Sequence, residues 1–382
     1  MKLKVNQTLL FLVLMILMIA GTAIGLTREV DAIRVLYKRY KAQDIYQFEE
    51  IRPEHKQIDP AGFISLSEGR RPRIVRESIL RLLKEQAGNG YKLVREIDLV
   101  GASKARLWFP IRDEFSQWDG VKSFTRFRYV LEPEVHSYVY HLVPEKPVGK
   151  GVVYHHGFGE PFTIARPLFE ALLLAGYDVM IYNHFGFGEN YLLMEVPGCG
   201  DSGGETTCGR NMISEMEDIP RALHYQLSPI FDGLDYLEYE VGVKTIDIVG
   251  FSAGAPTATV VAALSDKVRN VVAVAGVYPD YLREGQEVAM GIAAYPPLRD
   301  KLSMMDLFVM TAIPKGRQSV QLFNRFDRCC FRNRKGLLYV ESVRKAVERI
   351  GGQGQFDVII DESHADHKIS ISAINTILDL VQ

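Results

Sequence analysis

The 382-residue chain is poor in cysteine and tryptophan, with four of one and two of the other, and its 45 basic residues against 47 acidic ones leave a formal charge of −2. So small an imbalance creates no global field to recruit a nucleic acid or an acidic polymer, and any partner must be held locally. None of the cysteines stands in the C-x-x-C spacing of a zinc site, which points to buried or bridged cysteines and no metal. Internal repeats and low-complexity tracts are missing too. What is present is 47% apolar and 10% aromatic side chains, enough for the core of one sizeable domain plus an appendage, and not the composition of a disordered or fibrous chain.

Charge is also missing from Val5 to Thr27, and Leu9 to Ala20 is an unbroken apolar run preceded by Lys2 and Lys4. This is the layout of a signal peptide, and the stretch is long enough to span a bilayer if it is retained. Residues 1–26 are therefore read as a signal peptide or membrane anchor, with the protein secreted, extracytoplasmic or held at a membrane through its N-terminus. Arg28, Arg34, Lys38, Arg39 and Lys41 follow; on an uncleaved chain, these would favour a cytoplasmic bulk by the positive-inside rule. Cys199 and Cys208 bracket a short glycine-rich loop that a disulfide would close, in keeping with an oxidising compartment.

Residues 27–97 read as a helical extension. "REVDAIRVLYKRY" puts Val30, Ile33, Tyr37 and Tyr40 on one helical face, and "RIVRESILRLLKEQ" does the same with Val75, Ile79, Leu82 and Leu83. From residue 98 to 382 the pattern becomes that of a catalytic-size α/β domain. "LVGASKARLWFPI", "SFTRFRYVLEP" and "HSYVYHLVPE" alternate partly and fit antiparallel edge strands. After them, short apolar strands without alternation ("GKGVVYHHG", "DVMIYNHFG", "TIDIVG", "VRNVVAVAG", "SVQLFN", "FDVIID") are spaced by helical segments. Strands of that kind are buried on both faces of a mostly parallel, doubly wound sheet.

Two serines lie in G-x-S-x-G strings. Ser202 sits in "GDSGG", the string around the nucleophile of chymotrypsin-like proteases, but here it follows Pro197 in a Gly, Thr and Cys-rich excursion with turn composition. Those enzymes are built from antiparallel barrels with their histidine and aspartate ahead of the serine, and nothing upstream supplies that architecture. Ser252, in "GFSAG", falls where the strand "TIDIV" must turn sharply into the helix "APTATVVAAL". Such an elbow exposes the hydroxyl above the sheet edge, requires Gly250 and Gly254 for the close approach of strand and helix, and aims the Ala253 N–H at developing negative charge.

From about Phe124 to the C-terminus the chain thus resembles the α/β-hydrolase superfamily. The resemblance implies a second oxyanion donor, the N–H of Phe158 in "YHHGFGEP", with His156 bracing the loop. It places "YNHFGFGENY" as a pocket wall, although the arginine of the family's R-G-x-G-x-S segment is missing. It implies the chain order serine, acid, histidine. Asp327 in "NRFD" follows the strand where the family's acid lies, ahead of Glu341, on a helix, and Asp361, after a different strand. His367, just before the terminal helix, is preferred as base, with His364 as the alternate.

The implied chemistry is hydrolysis of a carboxylic ester, small-molecule or lipid, through an acyl-enzyme and without a cofactor. A thioesterase, peptidase or acyltransferase would need the same residues. A non-catalytic membrane-tethered scaffold of the same fold is the rival of a different class. Between Val277 and Gly316 the apolar residues Met304, Met305, Leu307, Phe308 and Met310 fit either an acyl-binding wall or a plain core helix.

Overall fold

The computed structural model describes residues 51–67, 71–88, 93–97, 115, 117–132, 135–158, 162–187, 190, 221–283, 292, 295–327 and 329–382. The leader, the helix expected over 28–40, the strand expected over 99–111 and the loop carrying Cys199, Ser202 and Cys208 lie outside the described residues. Among the described residues no helix is long and apolar enough to cross a membrane.

The elements run α1 (Pro53–Gln57), α2 (Pro72–Ala87), β1 (Val94–Ile97), β2 (Val121–Glu132), β3 (Val135–Pro144), β4 (Lys150–His155), α3 (Arg166–Leu174), β5 (Asp178–Tyr182), α4 (Ala222–Asp235) and β6 (Thr245–Phe251). They continue through α5 (Gly254–Leu264), β7 (Val268–Val274), α6 (Pro296–Arg299), α7 (Met304–Thr311), β8 (Gln318–Asn324), α8 (Val340–Arg349), β9 (Gln355–Asp361) and α9 (Ile371–Val381). Among the described residues nine strands form one sheet in the order β1-β2-β3-β5-β4-β6-β7-β8-β9. Its first three pairings are antiparallel and the other five parallel.

Strands β4, β5, β6, β7 and β8 are buried over nearly their whole length because both faces are covered. Leu168, Phe169 and Leu172 of α3 and Ala373, Ile374 and Ile377 of α9 close one face, while apolar residues of α2, α4, α5, α7 and α8 close the other. In α8 the buried residues Val340, Val343, Ala346 and Val347 recur at helical spacing. All eleven residues of α5 are buried instead. It lies between β6 and β7 on one side and α7 and α4 on the other, so it has no solvent face for polar residues to occupy.

Two expectations are refined. Val94–Ile97, inside the segment read as helical, forms a strand paired antiparallel with β2, so the extension supplies the sheet's edge. It is also pinned to α7 by Asp306, whose Oδ1 accepts the N–H groups of Ser65 (2.7 Å) and Leu66 (3.0 Å) while Oδ2 accepts the Ser65 hydroxyl at 2.6 Å. A buried carboxylate is tolerated when its lone pairs are filled in this way. The Met304–Met310 stretch is a core helix: every residue of α7 is buried, and the helix packs on α5 and α8.

Candidate active site

Chemistry collects at the C-terminal ends of the parallel strands. At the end of β6 the chain reverses into α5 through Ser252, whose φ of 53° lies in the left-handed region that side-chain-bearing residues rarely adopt. The turn is held by two hydrogen bonds: Ser252 N donates to Val274 O at 2.9 Å, and Ala255 N donates to Ser252 O at 3.0 Å. A Cβ on Gly250 would fall 2.3 Å from Gly254 O and 2.7 Å from Ala255 Cα, so strand and helix touch there. Gly254 answers to another neighbour. Its Cβ would fall 2.1 Å from His155 O, the end of strand β4.

The fold brings Asp327 and His367 to this turn. His367 Nε2 lies 2.8 Å from Ser252 Oγ, and His367 Nδ1 lies 2.7 Å from Asp327 Oδ2. A carboxylate only accepts, so Nδ1 carries the hydrogen and Nε2 keeps a lone pair for the serine proton. Asp327 is fully buried, while the His367 side chain retains 21% of its surface. The other carboxylate oxygen, Oδ1, accepts the Cys329 N–H at 2.8 Å.

Asn324, at the last position of β8, holds both loops. Its Nδ2 lies 3.4 Å from Asp327 Oδ2, and it donates to Lys368 O at 3.0 Å and to Asp366 O at 3.3 Å, on either side of the histidine. Sequence reading took Asn324 only as a strand end, and nothing local set it apart in a strand that also holds Gln318, Ser319 and Gln321.

The loop after β4 lies against the serine. A Cβ on Gly157 would fall 2.7 Å from Ser252 Cβ and 3.2 Å from Ser252 Oγ, which accounts for the glycine preceding Phe158. Among the described residues neither the Phe158 nor the Ala253 N–H has a hydrogen-bond acceptor, leaving both open to a ligand. Phe158 packs on His184 and Phe187, each at a ring-centroid distance of 4.6 Å, so these two residues of the "YNHFGFGENY" segment stand beside it. His156 Nδ1 pairs with the Tyr154 hydroxyl at 2.8 Å, a bracing contact.

Behind this loop His155 Nδ1 donates to His156 O at 2.9 Å and Nε2 accepts from Gln226 Nε2 at 2.9 Å. Burial, and after it the adjacent His184, hold the His155 imidazole well below its ordinary value. Burial also brings His184 down to about 4. Both rings are therefore neutral near pH 7.

The alternates are occupied elsewhere. His364 is fully buried, with Nε2 3.5 Å from Asp361 Oδ2. Burial acts to raise the Asp361 carboxyl, but the nearby His364 ring and the hydrogen bonds from Ser370 and Ser363 outweigh it and hold the group well below the usual carboxylate range. Glu341 lies on α8, exposed and paired with Lys345 at 3.5 Å. Cys329 and Cys330 form a disulfide in the loop after Asp327. A cavity of about 370 Å³ lined by Gln318, Arg344, Gln355 and Asp357 opens at the starts of β8 and β9, the opposite end of the sheet from Ser252.

No family model matches the chain, and no curated protein matches its sequence. Solved structures do match. Acetyl xylan esterase 1 from Thermoanaerobacterium sp. JW/SL YS485 superposes with a TM-score of 0.53 at 12% identity, over 87% of this chain and 98% of that one. The acetyl xylan esterase from Paenibacillus sp. R4 gives 0.52 at 13% identity, over 84% and 97%. A methylesterase, BT1017, gives 0.52 at 13% identity, over 84% and 65%. At these identities the likeness carries the fold: the chain has the α/β-hydrolase fold, with a mostly parallel sheet and antiparallel N-terminal strands.

Proposed function

We propose that the protein is a serine hydrolase of carboxylic esters, with Ser252 as nucleophile, His367 as general base and acid, and Asp327 as the group that orients the ring. One observation carries the reading: a single imidazole joins Ser252 Oγ (2.8 Å) to a buried carboxylate (2.7 Å) through its two nitrogens. In the first half-reaction Nε2 takes the serine proton as Oγ attacks the ester carbonyl, and Asp327 stabilises the imidazolium that results. The N–H groups of Phe158 and Ala253, the latter at the N-terminus of α5, receive the oxyanion. His367 then returns the proton to the departing alcohol, and water hydrolyses the acyl-enzyme by the same steps.

The esterase names carried by structures of this fold are in keeping with an ester as substrate. The oxidised Cys329–Cys330 pair supports an extracytoplasmic location. The test is a panel of aryl esters, thioesters and aminoacyl amides offered to the purified protein and to Ser252→Ala. Ester turnover that vanishes in the variant is expected. Preference for thioesters or amides would move the assignment to the corresponding same-fold activity, and turnover unchanged in the variant would refute it.

A further inference from the structure

The cysteine pair belongs to the same loop as the orienting acid, and topology brings His367 to it. One sulfur from each of Cys329 and Cys330 and one ring nitrogen of His367 all lie within 4.8 Å of one another. Cys330 is part of the apolar core, whereas Cys329 is exposed, so one sulfur is anchored and the other is accessible to small reagents. No local spacing announces the cluster. The two cysteines are adjacent and the histidine arrives from beyond β9.

Two thiolates and an imidazole are the donors that zinc and cadmium select. Neighbouring ligands of a tetrahedral ion with bonds of about 2.0–2.3 Å stand about 3.5–4 Å apart, a spacing within the 4.8 Å spread of the three atoms once reduction lets the two sulfurs part. While the disulfide stands, neither sulfur carries the negative charge that ligation needs. We infer that the reduced Cys329–Cys330 pair and His367 form an inhibitory site for a thiophilic divalent cation, and that the disulfide closes it.

A dithiol reductant gives two electrons and two protons, its own sulfurs joining as a disulfide while the Cys329–Cys330 bond breaks into two thiols. The cation displaces one proton from each thiol to solvent and takes a lone pair from His367. Occupation of Nε2 deprives Ser252 of its acceptor; occupation of Nδ1 deprives Asp327 of its donor. Either breaks the chain of hydrogen bonds. Only the effect on turnover rests on the hydrolase reading; cation binding does not.

The full chain, oxidised or reduced and freed of reductant, is titrated with Cd²⁺ while two signals are followed: the ultraviolet charge-transfer absorption of cadmium thiolate and the rate of Ser252 labelling by a fluorophosphonate. Because Cys199 and Cys208 also carry sulfur, absorption is read as the difference from Cys329→Ser/Cys330→Ser. In the reduced protein the difference absorption should saturate near about one equivalent and labelling should slow by about a hundredfold or more, with recovery on adding a chelator. The oxidised protein should show neither difference absorption nor slowed labelling, the double variant should show no slowing of labelling, and His367→Ala should weaken cadmium binding as read by absorption. Equal responses in both redox states, inhibition of the double variant, or binding that leaves labelling untouched would overturn the inference. Absence of labelling before any Cd²⁺ is added would instead count against the hydrolase reading, with the absorption and His367→Ala still deciding the cation site.

Discussion

Two aspartate–histidine pairs stand at the ends of neighbouring strands: Asp327, just after β8, meets His367, and Asp361, the last residue of β9, faces His364. The first pair is close, at 2.7 Å, and its ring reaches Ser252 with 21% of its side-chain surface open. The second is looser, at 3.5 Å, with a fully buried ring. Asp361 is spent on structure: its carboxylate accepts the Ser363 N–H at 2.8 Å and the hydroxyl of Ser370, the residue that caps α9. The same two residue types, in loops that run into each other, thus acquire opposite potential. A base needs a lone pair aimed at a substrate-facing proton, and burial removes His364 from that task whatever its distance in sequence from the strand.

The contrast can be broken most forcefully at its centre. Ser252→Ala and His367→Ala should each reduce ester turnover by about 10⁴-fold or more, whereas His364→Ala, measured on the folded fraction, should stay within about threefold of the parent. Comparable losses in both histidine variants would erase the distinction. A subtler probe is Asn324→Ala, which frees the His367 loop without touching the reacting atoms. Turnover should fall by about tenfold to a hundredfold with KM nearly unchanged, and a change confined to KM would place Asn324 in substrate binding.

Asp361→Asn should act on stability and not on rate, lowering the unfolding free energy by about 1–3 kcal/mol in denaturant titrations. Retained stability combined with lost turnover would reverse the roles assigned to the two aspartates. Acid should separate the groups further. The His184 value of about 4 lies below that of an unfolded histidine, so the unfolded state binds the extra proton and stability declines as pH falls from about 6.5 toward 4, by about 3 kcal/mol at most. His184→Gln should reduce the slope in that window, leaving the share contributed by His155, which is also held well below its ordinary value. The depressed Asp361 carboxyl contributes stability that is present above the unfolded value of about 3.9 and is lost only at lower pH.

Much of this was legible because the decisive signals are local. A strand that turns within two residues into a helix picks out Ser252 over Ser202, and unbroken apolar strands announce a sheet covered on both faces. Asp327 and His367 were expected from the resemblance to the α/β-hydrolase superfamily and not from a local signal; the fold joins the two positions through one ring. What escaped was set by partners distant in sequence. Asn324 bonds carbonyls 42 and 44 residues away; Gly157 matters because Ser252 arrives beside it. The four residues of β1 are too few to display alternation and owe their state to pairing with β2. The cysteine pair carried no ligand spacing, and only the tertiary fold sets an imidazole next to it.

The most direct measurement is the site of covalent capture: the intact protein is reacted with a fluorophosphonate and the modified residue is located by peptide mass spectrometry. The account predicts one adduct, on Ser252, abolished in His367→Ala and retained in His364→Ala and Ser202→Ala. An adduct on Ser202, or labelling of Ser252 that depends on His364 and not on His367, would contradict it.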